Sequence, residues 1–128
     1  MCIRDSRSTK LLFKLMANNF KNKKADLTTT DLTTLYTVPT ATTTVVKSIL
    51  VSEDAGSGTT ITVTLVDANS NIFSLFKTKT ISSNATTELL THPLVMEESE
   101  ILKVQAGDAN ELHVIASILE IQPREVTT

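Results

Sequence analysis

His92 and His113 are the only histidines in the chain and the residues best suited to bind a metal ion. A metal site on a β-barrel commonly takes three nitrogen or carboxylate ligands from neighbouring strands. Glu88, Glu97 or Glu111 would have to supply the third ligand. The sequence has no short histidine pair, and His92 precedes a proline in an expected loop. It therefore favours two unrelated histidines over a metal-dependent barrel enzyme, and we expect no metal ligand and no cofactor.

The acidic segment "MEESE" and the serine in "GSG" are the next candidates for catalysis. Paired carboxylates perform acid–base chemistry when burial raises the pKa of one of them. Glu97, Glu98 and Glu100 instead fall in an expected turn without an aromatic platform for a sugar ring. Ser57 is followed by no histidine and acid in the arrangement of an acyl-transfer nucleophile, and its flanking glycines precede no helix that could bind phosphate. We expect no catalytic residue and predict that the protein is not an enzyme.

Two further segments resemble binding motifs. "DANSN" at residues 67–71 matches the opening of a calcium loop, but Ile72 stands where that loop needs glycine and Thr78 where it needs glutamate. A hairpin turn is therefore favoured. A lysine cluster at positions 21, 23 and 24 could bind nucleic acid, but the net charge of −2 argues against such binding. The favoured interpretation of residues 17–31 is a solvated polar arm, which could also lie across a neighbouring subunit.

The composition indicates one globular domain. The 128 residues are 41% hydrophobic, which is enough for a core without disulfides or metals, and Cys2 has no partner for an internal disulfide. Aromatic residues make up only 4% and tryptophan is missing, which argues against a stacking surface for single-stranded nucleic acid or sugars. No apolar run approaches the roughly 20 residues that span a bilayer. We expect neither nucleic acid nor membrane as a partner.

The remainder of the chain has the pattern of a β protein. In Ile61–Val66 apolar residues alternate with threonine, which is typical of a strand with one face in the core. Thr43–Ser52 is apolar on both faces, with Val46 and Leu50 expected on one side and Ile49 on the other. Leu112–Ile121 is similar. A sandwich of this size has one interior, so strands with two apolar faces imply subunit contacts.

Turn residues divide the pattern into eight expected strands, and none of these segments has sustained helical periodicity. The chain is therefore predicted to be all-β, a single antiparallel β-sandwich of the jelly-roll type. The expected strands are Asp31–Val38, Thr43–Ser52, Thr59–Val66, Ile72–Thr80, Thr86–Leu90, Leu94–Met96, Glu100–Ala106 and Leu112–Gln122.

The first residues differ in character from the rest. "MCIRDS" resembles the leader at the start of many metagenomic reading frames, in which adaptor bases have been translated, and this resemblance implies Met16 as the natural start. A secretory signal fits poorly because Lys14 interrupts the apolar stretch. We therefore expect a leader and polar arm at residues 1–30, with residues 1–15 artefactual, a sandwich domain at 31–122 and a tail at 123–128.

Three segments together carry a family resemblance: "LYTVPTATTTVVKSILVSEDAGSGTTITVTLVD", "TTELLTHPLVMEESEILKVQAG" and "ANELHVIASILEI". Their order is similar to that in small virion structural proteins of tailed phages, particularly those of marine phages, over about Leu32 to Gln122. The resemblance implies a head-decoration, neck, tail or fibre-associated protein of the virion. Its implied partners are other virion proteins and copies of itself, with a trimer as one option. It implies no catalytic or cofactor residues.

A second functional hypothesis stays open alongside the virion protein. Polar loops at Glu53–Gly58 and Asp67–Asn71 could serve a carbohydrate- or cell-surface-binding module, as sandwich loops often do. Tyr36 is the only tyrosine, so such a module would lack the usual aromatic platform for a sugar. The two hypotheses differ in what they require, because a virion protein must associate with copies or partners whereas a binding module must recognise a glycan.

Overall fold

The computed structural model describes residues 18–122, and every regular element in this range is a β-strand. Nothing in the described range is a helix that could cross a membrane. The expected leader at residues 1–15 and tail at 123–128 lie outside the described residues. The strands are β1 (Asn18–Leu27), β2 (Thr33–Thr37), β3 (Thr43–Glu53), β4 (Thr59–Val66), β5 (Ile72–Ile81), β6 (Thr86–Glu88), β7 (Leu94–Met96), β8 (Ile101–Ala106) and β9 (Leu112–Ile121).

The strands form two antiparallel sheets. The front sheet has the order β1-β9-β3-β6, and β7 pairs with β3 beside β6. The back sheet has the order β2-β8-β4-β5. If β6 and β7 are counted as two pieces of one strand, this is the eight-strand arrangement of a jelly roll. The predicted all-β, jelly-roll-like sandwich is therefore confirmed.

The core lies between the two sheets and is built from the inward residues of each strand. In the front sheet it includes Val46 and Ile49 of β3 and Val114 and Ile118 of β9, each no more than 1% exposed. The back sheet contributes the alternating residues expected from its sequence, among them Ile61 of β4, which is fully buried. Such alternation leaves one face of each sheet outside the core.

Strand β1 is the element that the sequence analysis missed. Asn18–Leu27 pairs with β9 over all ten residues without a register shift, so this segment is not the solvated arm that the sequence predicts. Most residues of β1 are polar and only Leu27 is fully buried, so the sequence shows no alternation of apolar and polar residues there. Lysines point inward at Lys21 and Lys23, and inward-pointing charges on an edge strand discourage pairing with another sheet.

A bulge in β3 changes which of its residues face the core. The register with β9 shifts between Val46 and Ser48, so that Lys47 is an extra residue in β3. Val46 and Ile49 are both buried, whereas Leu50 is 36% exposed on the other face. The expected grouping of Val46 with Leu50 is therefore wrong, because the bulge shifts the alternation by one residue.

The edge strand β5 is irregular. Its register with β4 shifts twice, and Thr78 adopts a φ of 48° while its N–H donates to the Thr62 hydroxyl at 3.0 Å. A positive φ is rare for a β-branched residue and requires support from surrounding contacts. Bulges of this kind twist an edge away from flat pairing with other molecules.

The bulge makes a direct prediction about adjacent residues. Ile49→Ala should lower the free energy of unfolding by about 2–5 kcal/mol, because it opens a cavity in the core. Leu50→Ala should lower it by less than about 1 kcal/mol, since that side chain is outside the core. Chemical denaturation of both variants at low protein concentration measures the difference. Equal costs, or a larger cost at Leu50, would contradict the shifted alternation.

Candidate functional site

The two histidines occupy separate places in the front sheet. His113 lies on the outer face of β9 opposite Ser52, with its Nε2 3.2 Å from Asp26 Oδ1 and its Nδ1 3.5 Å from Asp54 Oδ2. His92 lies in the loop before β7, whose first residue pairs with Val46. Within residues 18–122, no group of three or more histidine, cysteine or acidic residues is arranged to hold a metal.

Carboxylates in the polar turns accept hydrogen bonds from backbone N–H groups of the same turns. The Asp67 carboxylate accepts hydrogen bonds from the N–H groups of Asn69 and Asn71 at 2.9 and 2.8 Å, which is the geometry of a side-chain-capped turn. In the acidic segment, Glu97 N–H donates to the Glu100 carboxylate at 2.8 Å. These groups lie on the surface and stabilise the loops in which they occur.

Glu53 is a buried carboxylate that the sequence analysis did not single out. It is only 1% exposed and accepts hydrogen bonds from the N–H groups of Asn84, Gly56 and Ser57. The Asn84 N–H, followed by those of Gly56 and Ser57, outweighs burial and holds the pKa of Glu53 below its usual range. The Ser57 hydroxyl donates to Glu111 at 2.9 Å, so the serine considered as a nucleophile takes part in fastening this loop.

A second buried carboxylate, Glu120, ties the two sheets together. The Tyr36 hydroxyl of β2 donates to Glu120 Oε2 at 2.6 Å, and it is 2.7 Å from the Thr44 hydroxyl, which therefore donates to it. Lys21 Nζ lies 2.9 Å from Glu120 Oε1. Burial raises the pKa of Glu120, but the Tyr36 hydrogen bond and the Lys21 ammonium outweigh it, and the pKa lies below its usual range.

The lysine cluster is divided between the two faces of β1. Lys21 pairs with Glu120, and the Lys23 ammonium lies 5.8 Å from the centre of the Tyr36 ring. Lys24, opposite Ile115, lies on the outer face. Two of the three lysines thus stabilise the fold, and they do not form a continuous basic patch.

Several large apolar side chains remain exposed, and four of them lie on one sheet face: Phe20, Leu50, Val95 and Ile115. On the outer face of the front sheet, which we call the outer face, one row of directly paired residues crosses four strands: Phe20 of β1, Leu119 of β9, Val45 of β3 and Val95 of β7. The two ends of this row are the most exposed, with Phe20 at 72% and Val95 at 59%. A contiguous apolar surface of this kind marks an interaction site more often than a scattered exposed residue does.

A second row crosses the outer face four residues further along β1. It contains Lys24, Ile115, Leu50 and Glu88, so that two apolar side chains lie between a cation and an anion. The Glu88 carboxylate also accepts hydrogen bonds from the Ser48 hydroxyl, Ile49 N–H and Leu90 N–H, which supports the bulge. Between the two rows lies a shallow depression of about 300 Å³, bordered by Phe20, Lys47 and Ser117 among others.

Comparison with known proteins finds structures with a similar fold but no family for the sequence. No protein-family model matches the chain, and no curated protein matches it. A protein of the disulfide-linked pili of Bacillus endospore appendages is similar in structure, with a TM-score of 0.55 and 8% identity over 84% of this chain and 88% of that chain. A chain of the Helicobacter pylori bacteriophage KHP30 capsid is similar with a TM-score of 0.51 and 11% identity, over 84% and 89% of the two chains.

A pentameric capsid protein from metagenomic phage sequences has a TM-score of 0.46 and 17% identity, over 82% of this chain and 62% of that chain. This chain therefore spans less than two thirds of that protein. At identities this low, the similarity to the pilus and KHP30 proteins shows a similar fold and nothing more.

The Tyr36 network predicts a measurable stability cost. Tyr36→Phe removes the hydroxyl that joins Thr44 to Glu120 and leaves both groups short of a partner away from water. We expect a loss of about 1–3 kcal/mol in the free energy of unfolding. Denaturant titration measures it, with Phe73→Leu on the exposed edge strand as a control that should change little. A cost for Tyr36→Phe no larger than that of the control would show that the network is not stabilising.

The same groups predict how stability depends on pH. The pKa values of Glu53, Asp67 and Glu120 are lowered in the folded protein, so their contribution is present at neutral pH. It is lost as the pH falls below about 4.5 for the two glutamates and below about 3.8 for Asp67. Burial, together with the Glu120 hydrogen bond, raises the pKa of Tyr36, so its contribution is present below about pH 10 and is lost above it.

Tyr36 is the only tyrosine, and the chain has no tryptophan, so its ultraviolet absorbance reports this titration directly. Phenolate should therefore appear only at a pH well above 10, or together with unfolding. Ionisation at the pH of a free phenol in the folded protein would contradict the buried network.

Proposed function

We propose that the protein is a structural component of a phage particle that acts through self-assembly and contacts with other particle proteins. The observation that carries the proposal is the apolar row on the outer face, from Phe20 to Val95. The core already fills the space between the sheets, so this second apolar surface serves no purpose inside one sandwich. Covering it with another protein would release its apolar area from water.

The fold supports this proposal. Two solved structures with a TM-score above 0.5 come from repeating assemblies, a pilus and a phage capsid. A jelly roll of this type is also the fold of many viral capsid domains. Fold does not determine function, so the proposal depends on the surface, and the similarity only adds to it.

The chemistry of the polar groups points the same way. Glu53 and Glu120 are committed to hydrogen bonds that hold loops and sheets, and Ser57 donates to Glu111. Groups used in this way keep a compact body rigid, which suits a protein that acts by shape. We place it in the virion as a head-decoration, neck, tail or fibre-associated protein that binds copies of itself and other virion proteins.

The proposal is tested on the purified full-length chain. Light scattering and sedimentation over micromolar to millimolar concentrations should show a defined species whose mass is a multiple of 13.9 kDa. The genes that flank its reading frame should encode portal, capsid or tail proteins, and co-expression with them should place the protein in particles. A monomer at every concentration that is never incorporated, and that instead binds glycans on an array, would replace the proposal with the carbohydrate-binding module.

A further inference from the structure

We infer that the outer face binds a second copy of this chain, face to face, about a two-fold axis parallel to the strands. This inference rests on the proposed function and specifies the partner and the geometry of assembly. A two-fold contact requires a surface that is complementary to itself. The two paired rows on the outer face have this property for one choice of axis.

The apolar row is the first part of the argument. A two-fold axis parallel to the strands keeps each residue at its height along the sheet but reverses the order of the strands. Phe20, at the β1 edge, would therefore lie on the partner's Val95, at the β7 edge. In the middle of the row, Leu119 would lie on the partner's Val45. The row would then be covered along its whole length by apolar side chains, with its two most exposed members covered by each other.

The charged row is the second part. The same rotation brings Lys24 against the partner's Glu88 and Ile115 against the partner's Leu50. Opposite charges then meet at both edges of the contact, where water still reaches them, and apolar groups meet between them. This is the arrangement of an interface with an apolar centre and a polar rim.

The other in-plane axis, perpendicular to the strands, does not give this complementarity. It would keep the strand order and, if placed midway between the two rows, would exchange them. Phe20 would then lie on the partner's Lys24, and Val95 on the partner's Glu88. Val95 would remove the Glu88 carboxylate from water without supplying an opposite charge, which is unfavourable. Placed along the apolar row instead, the perpendicular axis would lay each residue of that row on the same residue of the partner, but it would leave the charged row without a facing row. Of these placements, the axis parallel to the strands is the one that pairs both rows at once.

The size of the face sets the expected affinity. Nine residues of β1 extend about 27 Å, and four strands at about 4.8 Å spacing cover about 19 Å, which gives roughly 500 Å² per copy. The total of roughly 1,000 Å² lies at the lower limit for a specific interface. We therefore expect a dimer that forms in the micromolar range. Lys47 of β3 reaches across β9, with its ammonium 5.6 Å from the centre of the Phe20 ring, so this side chain would have to turn aside when the contact forms.

Disulfide cross-linking tests the geometry. In a full-length chain whose single native cysteine is replaced by Cys2→Ser, Phe20→Cys and Val95→Cys are made as separate variants. Oxidation of an equimolar mixture should give a covalent dimer that contains one chain of each kind. Each variant alone should cross-link at least tenfold less. The two positions within one chain are about 14 Å apart across three strand spacings, which is too far for a disulfide, so only a contact between chains can bring them together.

Equal cross-linking by either variant alone would overturn the proposed axis. The absence of cross-linking in the mixture would overturn the face-to-face contact. If the chain nevertheless forms oligomers or enters particles in that case, the proposed function stands and only this inference fails. If it also remains monomeric and is excluded from particles, both fail.

A matched pair of substitutions tests the surface without cross-linking. Phe20→Ser should raise the dimer dissociation constant at least tenfold. Phe73→Ser, which removes a phenylalanine 50% exposed on the edge strand of the back sheet, should change it less than twofold. Circular dichroism of both variants checks that the fold is retained. A tenfold loss from Phe73→Ser would show that the front sheet of one copy binds β5 of the next, which would overturn the two-fold contact.

Discussion

The structure depends on one constraint: β9 lies between β1 and β3 and is apolar on both faces, although a two-sheet sandwich has one interior. Val114 and Ile118 fill that interior, so Ile115 and Leu119 must lie on the outside. Apolar area costs about 25 cal/mol per Å² when it is left in water. The outer face of the front sheet is thus the surface that gains most from contact with another protein.

Two of the four sheet edges are poor templates for further pairing. Lys21 and Lys23 point inward from β1, and two register shifts distort β5. The buried carboxylates Glu53 and Glu120 hold the loops and the two sheets in place. These contacts make the body of the sandwich rigid around its exposed apolar rows.

Much of the fold follows from the sequence because its strands alternate clearly. Leu112–Ile121 has the faces that the pattern predicts, and so has Ile61–Val63, whereas Thr64, expected in water, is buried. β1 was missed because three of its five inward positions are polar, and two of these are lysines that reach partners remote in sequence. The sequence pattern groups Leu50 with Val46, because nothing in the local sequence indicates the one-residue bulge between them. Glu53 and Glu120 resemble surface acids until the fold places backbone N–H groups and Tyr36 around them. Strands with two apolar faces predicted subunit contacts from the sequence alone. The order of residues across the outer face could not be predicted, because it depends on the register between the strands.

The most direct test of this account is an experimental structure of the protein in its assembled form. The account predicts that Phe20, Leu119, Val45 and Val95 are covered by the same row of a second copy, with Phe20 against the partner's Val95. A structure in which this row remains in water, while copies contact one another through the back sheet or the loops, would contradict it.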